Sequence, residues 1–184
     1  MKWFVVFFAL FLLNCKEKKK DLRIFEKVIV DENLANNDTI KLLSKFPELK
    51  LYDKEKVESK TRTAYIIQNS GHGRFWLTFD NYKCKAEKKA DTLEISLNNY
   101  GGMISNGILI KVFENHFFVK NYNPKTLKGE VKFFNAKTEN EILKLNKTEF
   151  QKNDSIYGFI DYECVIGDGE LTKNMRGYFK TKVQ

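Results

Sequence analysis

Thr92-Leu93-Glu94-Ile95-Ser96-Leu97 decides the fold class. Leu93, Ile95 and Leu97 point one way, and Thr92, Glu94 and Ser96 point the other. A period of two is the mark of a strand with one buried and one solvated face. Outward from this stretch the same reading recurs. Upstream, Thr63 to Gln68 is a strand, Asn69-Ser70-Gly71-His72-Gly73 a turn, and Arg74 to Cys84 a strand in which Phe75, Leu77 and Phe79 alternate with Trp76, Thr78 and Asp80. Downstream, a Gly-rich turn at Tyr100-Gly101-Gly102 leads to a hairpin of Ile108 to Phe113 and His116 to Tyr122 about Glu114-Asn115, where Asn tolerates positive φ. Gly129 to Ala136, Glu141 to Leu145, Ser155 to Ile166 and Leu171 to Val183 complete the series, with Gly158 marking a close approach or a bulge.

The first third is less regular. Arg23 to Val30 reads as a strand. Asp38 is placed to cap a short helix through Phe46, with Ile40, Leu42 and Leu43 on its apolar side and Pro47 stopping it. Residues 49–60 are charged and read as a loop or a second, frayed helix. Nine or ten strands with one short N-terminal helix predict a mainly β protein: a single antiparallel β-sandwich or partly closed barrel over residues 23–184. Aromatic residues make up 14% of the chain, sixteen of them Phe, and there are only two prolines, a balance that favours sheet over disorder.

The formal charge is +8, carried almost wholly by Lys. The arginines are Arg23, Arg62, Arg74 and Arg176. Guanine and phosphate readout favours the bidentate Arg fork, so the composition argues against a nucleic-acid partner and for a solvated, Lys-rich surface.

The N-terminus carries an address. After Lys2, an unbroken apolar run extends from Trp3 to Leu13, with Asn14-Cys15 directly after it. Eleven residues in helix span only about 16 Å, well short of a bilayer core of roughly 30 Å, and no polar face is available for a surface helix. This is the layout of a signal peptide over residues 1–14. Leu12-Leu13-Asn14-Cys15 resembles the lipobox of bacterial lipoproteins. Asn14 stands where Gly or Ala is usual, as in the looser lipoboxes of the Bacteroidota. The resemblance implies a lipid on Cys15 that attaches the chain to a membrane of the cell envelope. Residues 15–22, which include Lys16-Glu17-Lys18-Lys19-Lys20-Asp21, then form a charged tether. Surface-exported lipoproteins of that group carry acidic residues directly after the cysteine; the basic run here points instead to the periplasmic face of the inner or outer membrane.

A second, local resemblance covers residues 142–160, from Ile142 through Asn153-Asp154 to Ile160. It is similar to the strand, turn and strand opening of immunoglobulin-like envelope domains, with Asn153 in the usual place of Gly, and it bears on fold alone.

Chemical motifs are sparse. An envelope location leaves Cys84 and Cys164 with two readings: a disulfide closing a loop of about eighty residues, or two buried thiols. His72 and His116 are the only histidines, and neither Cys-x-x-Cys nor His-Glu-x-x-His occurs, so no metal or other cofactor is implied. Asp80, Asp161 and Glu163 are strand carboxylates that could face a cleft as a glycosidase pair, or simply line a solvated face. Gly71-His72-Gly73 and Gly101-Gly102 lack the Lys-Ser/Thr step and the helix N-terminus that a phosphate loop requires. Trp76, Tyr82, Tyr100 and Tyr122 are candidates for a contact surface toward a protein or small-molecule ligand. The expected function is a lipid-anchored, non-enzymatic binding module of the envelope. An immunity or inhibitor protein and an envelope hydrolase stand as the alternatives.

Overall fold

In a computed structural model, residues 25–51, 53–99, 106–125, 133–167 and 171–184 are described; the expected signal peptide, Cys15, the expected tether and Tyr100 lie outside them. The described strands form two six-stranded sheets. The first contains β1 (Glu26–Lys27), β5 (Lys83–Lys89), β6 (Thr92–Asn99), β7 (Asn106–Phe113), β8 (His116–Tyr122) and β9 (Phe133–Phe134), in the order β1-β8-β7-β6-β5 with β9 also on β8. The second contains β2 (Ile29–Val30), β3 (Ala64–His72), β4 (Phe75–Phe79), β10 (Ala136–Leu145), β11 (Ser155–Ile166) and β12 (Leu171–Lys182), in the order β2-β10-β11-β12-β3-β4. Most strands pair with their sequence neighbours, and β12 returns to β3, so the chain is an up-and-down meander split into two sheets, a sandwich and not a closed barrel. Immunoglobulin-like sandwiches use Greek-key connections; the resemblance at 142–160 therefore extends no further than one hairpin, β10 to β11.

The sheets are joined at both edges. Between β1 and β2, Val28 donates its amide to Asn115 O at 2.8 Å and turns inward, so the expected strand at 23–30 is two short pieces serving different sheets. At the opposite edge, Ala86 bridges Val183, and the Gln184 amide reaches Ala86 O at 3.0 Å.

Alternation works as anticipated in the centre. Leu93, Ile95 and Leu97 are buried against Ile108, Ile110 and Val112. The turn at Glu114-Asn115 has φ of 46° and 67°, the mirror-image geometry that suits hairpin twist. At 74–84 the single expected strand is broken at Asp80-Asn81. Phe79 and Tyr82 both face the interior although they are three residues apart, which unbroken strand geometry forbids. The turn expected at Asn69–Gly73 is instead mostly strand, and the reversal occurs at Gly73-Arg74.

The helix α1 (Asp38–Leu43) is capped by Asn37, not Asp38: the Asn37 side chain accepts from the Thr39 amide at 2.9 Å. It comes after a 3₁₀ turn (Glu32–Asn36), and both lie on the outer face of the second sheet, burying Leu34, Ile40 and Leu43 while Leu42 is exposed. Residues 53–60 are loop, fixed to β5 by a nearly buried Lys83–Glu55 pair at 2.7 Å.

One core contact is unusually specific. Phe179 lies opposite Gly158 on β11 and Ala64 on β3, with Gly177 two residues before it. A large ring sits among small residues, and a Cβ at Gly158 would fall inside that ring. Gly158→Ala is therefore expected to lose about 1–3 kcal/mol in denaturant unfolding through overpacking, and Phe179→Leu in the same chain is expected to recover part of it. A neutral Gly158→Ala would contradict the packing.

Candidate functional site

The second sheet presents its outer face as registered rows. One row is Tyr65, Tyr178, Phe159 and Lys144; the next is Ile67, Arg176, Asp161 and Ile142. The 3₁₀ turn and its flanking residues Asp31 and Asn37 stand over one side of these rows and make a groove of about 550 Å³. Its floor is the Phe159–Tyr178 pair, with ring centroids 4.9 Å apart. Arg176 lies 5.6 Å and Lys144 5.8 Å from the Phe159 centroid, and Arg176 approaches Asp161 at 3.7 Å. The opposite wall supplies Asp31, Asn33, Asn36 and Asn37. Asp31 and Asn37 are partly committed to capping, since each side chain accepts from a backbone amide two residues on. The two lining carboxylates, Asp31 and Asp161, are balanced by Lys144 and Arg176, so the groove is formally neutral while rich in donors and acceptors.

A second depression, about 620 Å³, lies between residues 48–63 and the adjoining ends of β5 and β12. It is strongly charged: Lys56, Lys83, Lys85, Lys152, Lys180 and Lys182 outnumber Glu48, Glu55 and Glu58. Glu58 is held below its ordinary carboxylate range, chiefly by hydrogen bonds from Lys85 and Gln184. Glu48 accepts from Thr63 Oγ1 at 2.6 Å, and Thr63 Oγ1 in turn accepts from the Cys84 amide at 3.0 Å.

Inside the sandwich, one end of the core is polar. Asn121 on β8 spans the two sheets, accepting from Lys173 Nζ at 3.1 Å, donating to the Tyr162 hydroxyl at 2.7 Å and lying 3.5 Å from Cys164 Sγ. Nearby, Tyr82 donates to Gln68, whose amide donates to Ser70 at 2.6 Å. Lys173 is 1% exposed. Desolvation lowers its pKa to about 8, while the neighbouring Cys164 works weakly the other way. Burial raises Tyr162, Tyr82 and both thiols.

The residues singled out from sequence are thus dispersed. Trp76 is exposed, with its ring across Gly71 and its indole donating to Gly73 O at 3.3 Å. Tyr82 is no surface residue: the break at Asp80-Asn81 turns it into the core. Tyr122 is on the outer parity of β8 yet buried, because its ring covers Gly107, its hydroxyl bonds Asn98 and Phe133 packs on it at 6.1 Å. Cys84 and Cys164 are buried free thiols. In register, Cys84 on β5 is three strands from Asn121, the Cys164 neighbour, which is roughly 14 Å at 4.8 Å per strand and too far for a disulfide. His72 and His116 lie at opposite ends of the sandwich. Of the three carboxylates, Asp161 alone lines the groove. Among the described residues there is no group of three or more His, Cys, Asp or Glu that could hold a metal.

Sequence reasoning missed Phe159, Tyr178, Arg176 and Lys144, whose alternation merely assigns them to the outer face; the helical cover that makes a groove of that face comes from residues more than a hundred positions away. It also missed Lys173, whose even spacing with Met175 and Phe179 was the available signal. No protein-family model, curated protein or solved structure matches the chain.

The buried amine sets a pH signature. Below about pH 8 Lys173 is charged in both states and its burial penalty is complete; between there and the ordinary 10.5 the unfolded chain holds a proton that the folded chain has released, so the parent gains stability as pH rises. Lys173→Met is expected to be about 1–3 kcal/mol more stable than the parent at pH 7. Denaturant titrations across pH 7–10.5 should show that gap narrowing upward from about pH 8. A gap independent of pH would contradict a desolvated amine.

Proposed function

We propose that this chain is a lipid-anchored binding module of the bacterial envelope, whose ligand lies in the groove on the outer face of the second sheet. The observation that carries the reading is the combination found there: an aromatic floor of Phe159 and Tyr178, ringed by amides and by two balanced pairs of charges, on rigid strands. Pockets of this size with an apolar base and a few convergent polar groups are typical ligand sites. Hydroxyl groups both donate and accept, so a ring of Asp161, Arg176, Asn33 and Asn36 suits a neutral polyhydroxylated ligand, an oligosaccharide segment of about two to four sugars by the groove's volume. Strongly charged ligands gain nothing from a lining without net charge.

The anchor rests on Cys15 and the apolar run before it, supported by the basic tether; none of the described helices is long and apolar enough to cross a membrane. A hydrolase draws less support, because a glycosidase needs two carboxylates free to flank one bond, and of the two in the groove Asp31 accepts from the Asn33 amide while Asp161 faces Arg176; Glu163 lies outside it. An inhibitor or immunity role toward an acidic partner is favoured by one observation, the excess of lysines around the second depression.

Calorimetric titration of the full chain with neutral oligosaccharides tests the site. Phe159→Ala and Asp161→Ala are each expected to weaken binding about tenfold, close to 1.4 kcal/mol, with Lys83→Ala unchanged. Binding indifferent to both groove substitutions would refute the assignment. For the anchor, Cys15→Ala is expected to leave the membrane fraction, and retention there equal to the parent would refute it.

A further inference from the structure

Among the described residues β4 is an unguarded sheet edge. It pairs there with β3 alone, and Phe75, Trp76 and Leu77 are 84%, 53% and 63% exposed. Natural edges are usually protected by Lys, Pro, bulges or inward charges, since free backbone groups beside apolar side chains recruit another strand. Phe75-Trp76-Leu77-Thr78-Phe79 has none of these devices. Beyond the groove reading, and independent of it, we propose that β4 pairs antiparallel with β4 of a second copy of this chain about a twofold axis at Leu77, joining the second sheets of the two copies into one.

Backbone parity allows this register. Gly73-Arg74 is a two-residue turn with φ of 58° at Gly73, so the flanking pair His72 and Phe75 is hydrogen-bonded. Alternation along the strand then aims the backbone groups of Phe75, Leu77 and Phe79 at β3 and leaves those of Trp76 and Thr78 on the free edge. With the axis at Leu77, Trp76 stands opposite Thr78 of the second copy, where both residues have unpaired amide and carbonyl groups, and the symmetry repeats the match.

Side chains select it over other registers. The strand is nearly palindromic in character, so Phe75 meets Phe79 of the second copy on one face, and Leu77 meets itself. One residue further out, Arg74 falls opposite Asp80 of the second copy, again twice. Both side chains are exposed, and neither is in an ion pair among the described residues. An isologous contact requires this kind of self-complementarity. The interface is at the small end for a specific association, so the dimer is weak in dilute solution.

Disulfide trapping of the purified full chain tests the register. Leu77 and its symmetry mate form a non-hydrogen-bonded pair with Cα atoms about 4.5 Å apart, within disulfide range. In a Cys15→Ala background, Leu77→Cys is expected to give about tenfold more cross-linked dimer under mild oxidation than Lys41→Cys on α1; the two remaining native cysteines, Cys84 and Cys164, are buried. Arg74→Asp or Asp80→Arg, placed in the Leu77→Cys chain, turns two attractions into two repulsions and should lower the yield about tenfold. Combining the two reversals should restore it. Cross-linking no greater than that of Lys41→Cys, or a double reversal that fails to restore it, would overturn the proposal.

Discussion

The Phe179 ring, seated on Gly158 and beside Ala64, is the contact on which the two-sheet arrangement depends. Three small residues, Ala64, Gly158 and Gly177, thin the inner surface of the second sheet, and one aromatic side chain fills the space they leave. Close packing of this kind brings Ile66, Leu143 and Ile160 into the same core as Ile95, Leu97 and Ile110 from the facing sheet. Phe150, in the loop between β10 and β11, is buried at the far end, where its carbonyl accepts from Lys88 Nζ at 2.9 Å. A lipid-sized ligand would have to displace these rings. Recognition is therefore most economically assigned to the outside of the sandwich.

The opposite end of the core has a different character. Asn121, Tyr162, Lys173 and Cys164 trade apolar burial for hydrogen bonds that must all be made together, since a buried polar group without a partner costs more than the bond returns. Lys173 is the extreme case, an amine with neutral neighbours and a pKa lowered to match. Such a network costs stability while specifying how β8 sits against β11 and β12.

How far these features were legible in the sequence depends on the range over which each is determined. Alternation at Leu93–Leu97 and the Glu114-Asn115 turn are local, and both read correctly. Strand breaks at Val28 and Asp80-Asn81 are not local: each exists so that a side chain can enter a core assembled from distant segments. Tyr122 was misjudged for a related reason, because outer parity normally means exposure, and only Gly107 on the neighbouring strand and the overlying Phe133 bury it. The cap on α1 moved by one residue, since Asn37 has the extended φ and ψ that a cap requires. The groove was invisible to periodicity, as it arises where the 3₁₀ turn at Glu32–Asn36 covers strands more than a hundred residues further along the chain.

In the proposed role, the filled interior serves as a rigid support and the outer face of the second sheet as the working surface. Aromatic residues held by strands lose little freedom on contact, so a shallow groove of balanced charge can discriminate by hydrogen-bond pattern instead of by depth. The most direct test is amide chemical-shift mapping of the chain with a neutral tetrasaccharide. The account predicts perturbations confined to residues 33–37, 142–144, 159–161 and 176–178. Shifts centred instead on the lysine-rich depression around Lys83 and Lys180, or no shifts at all, would contradict it.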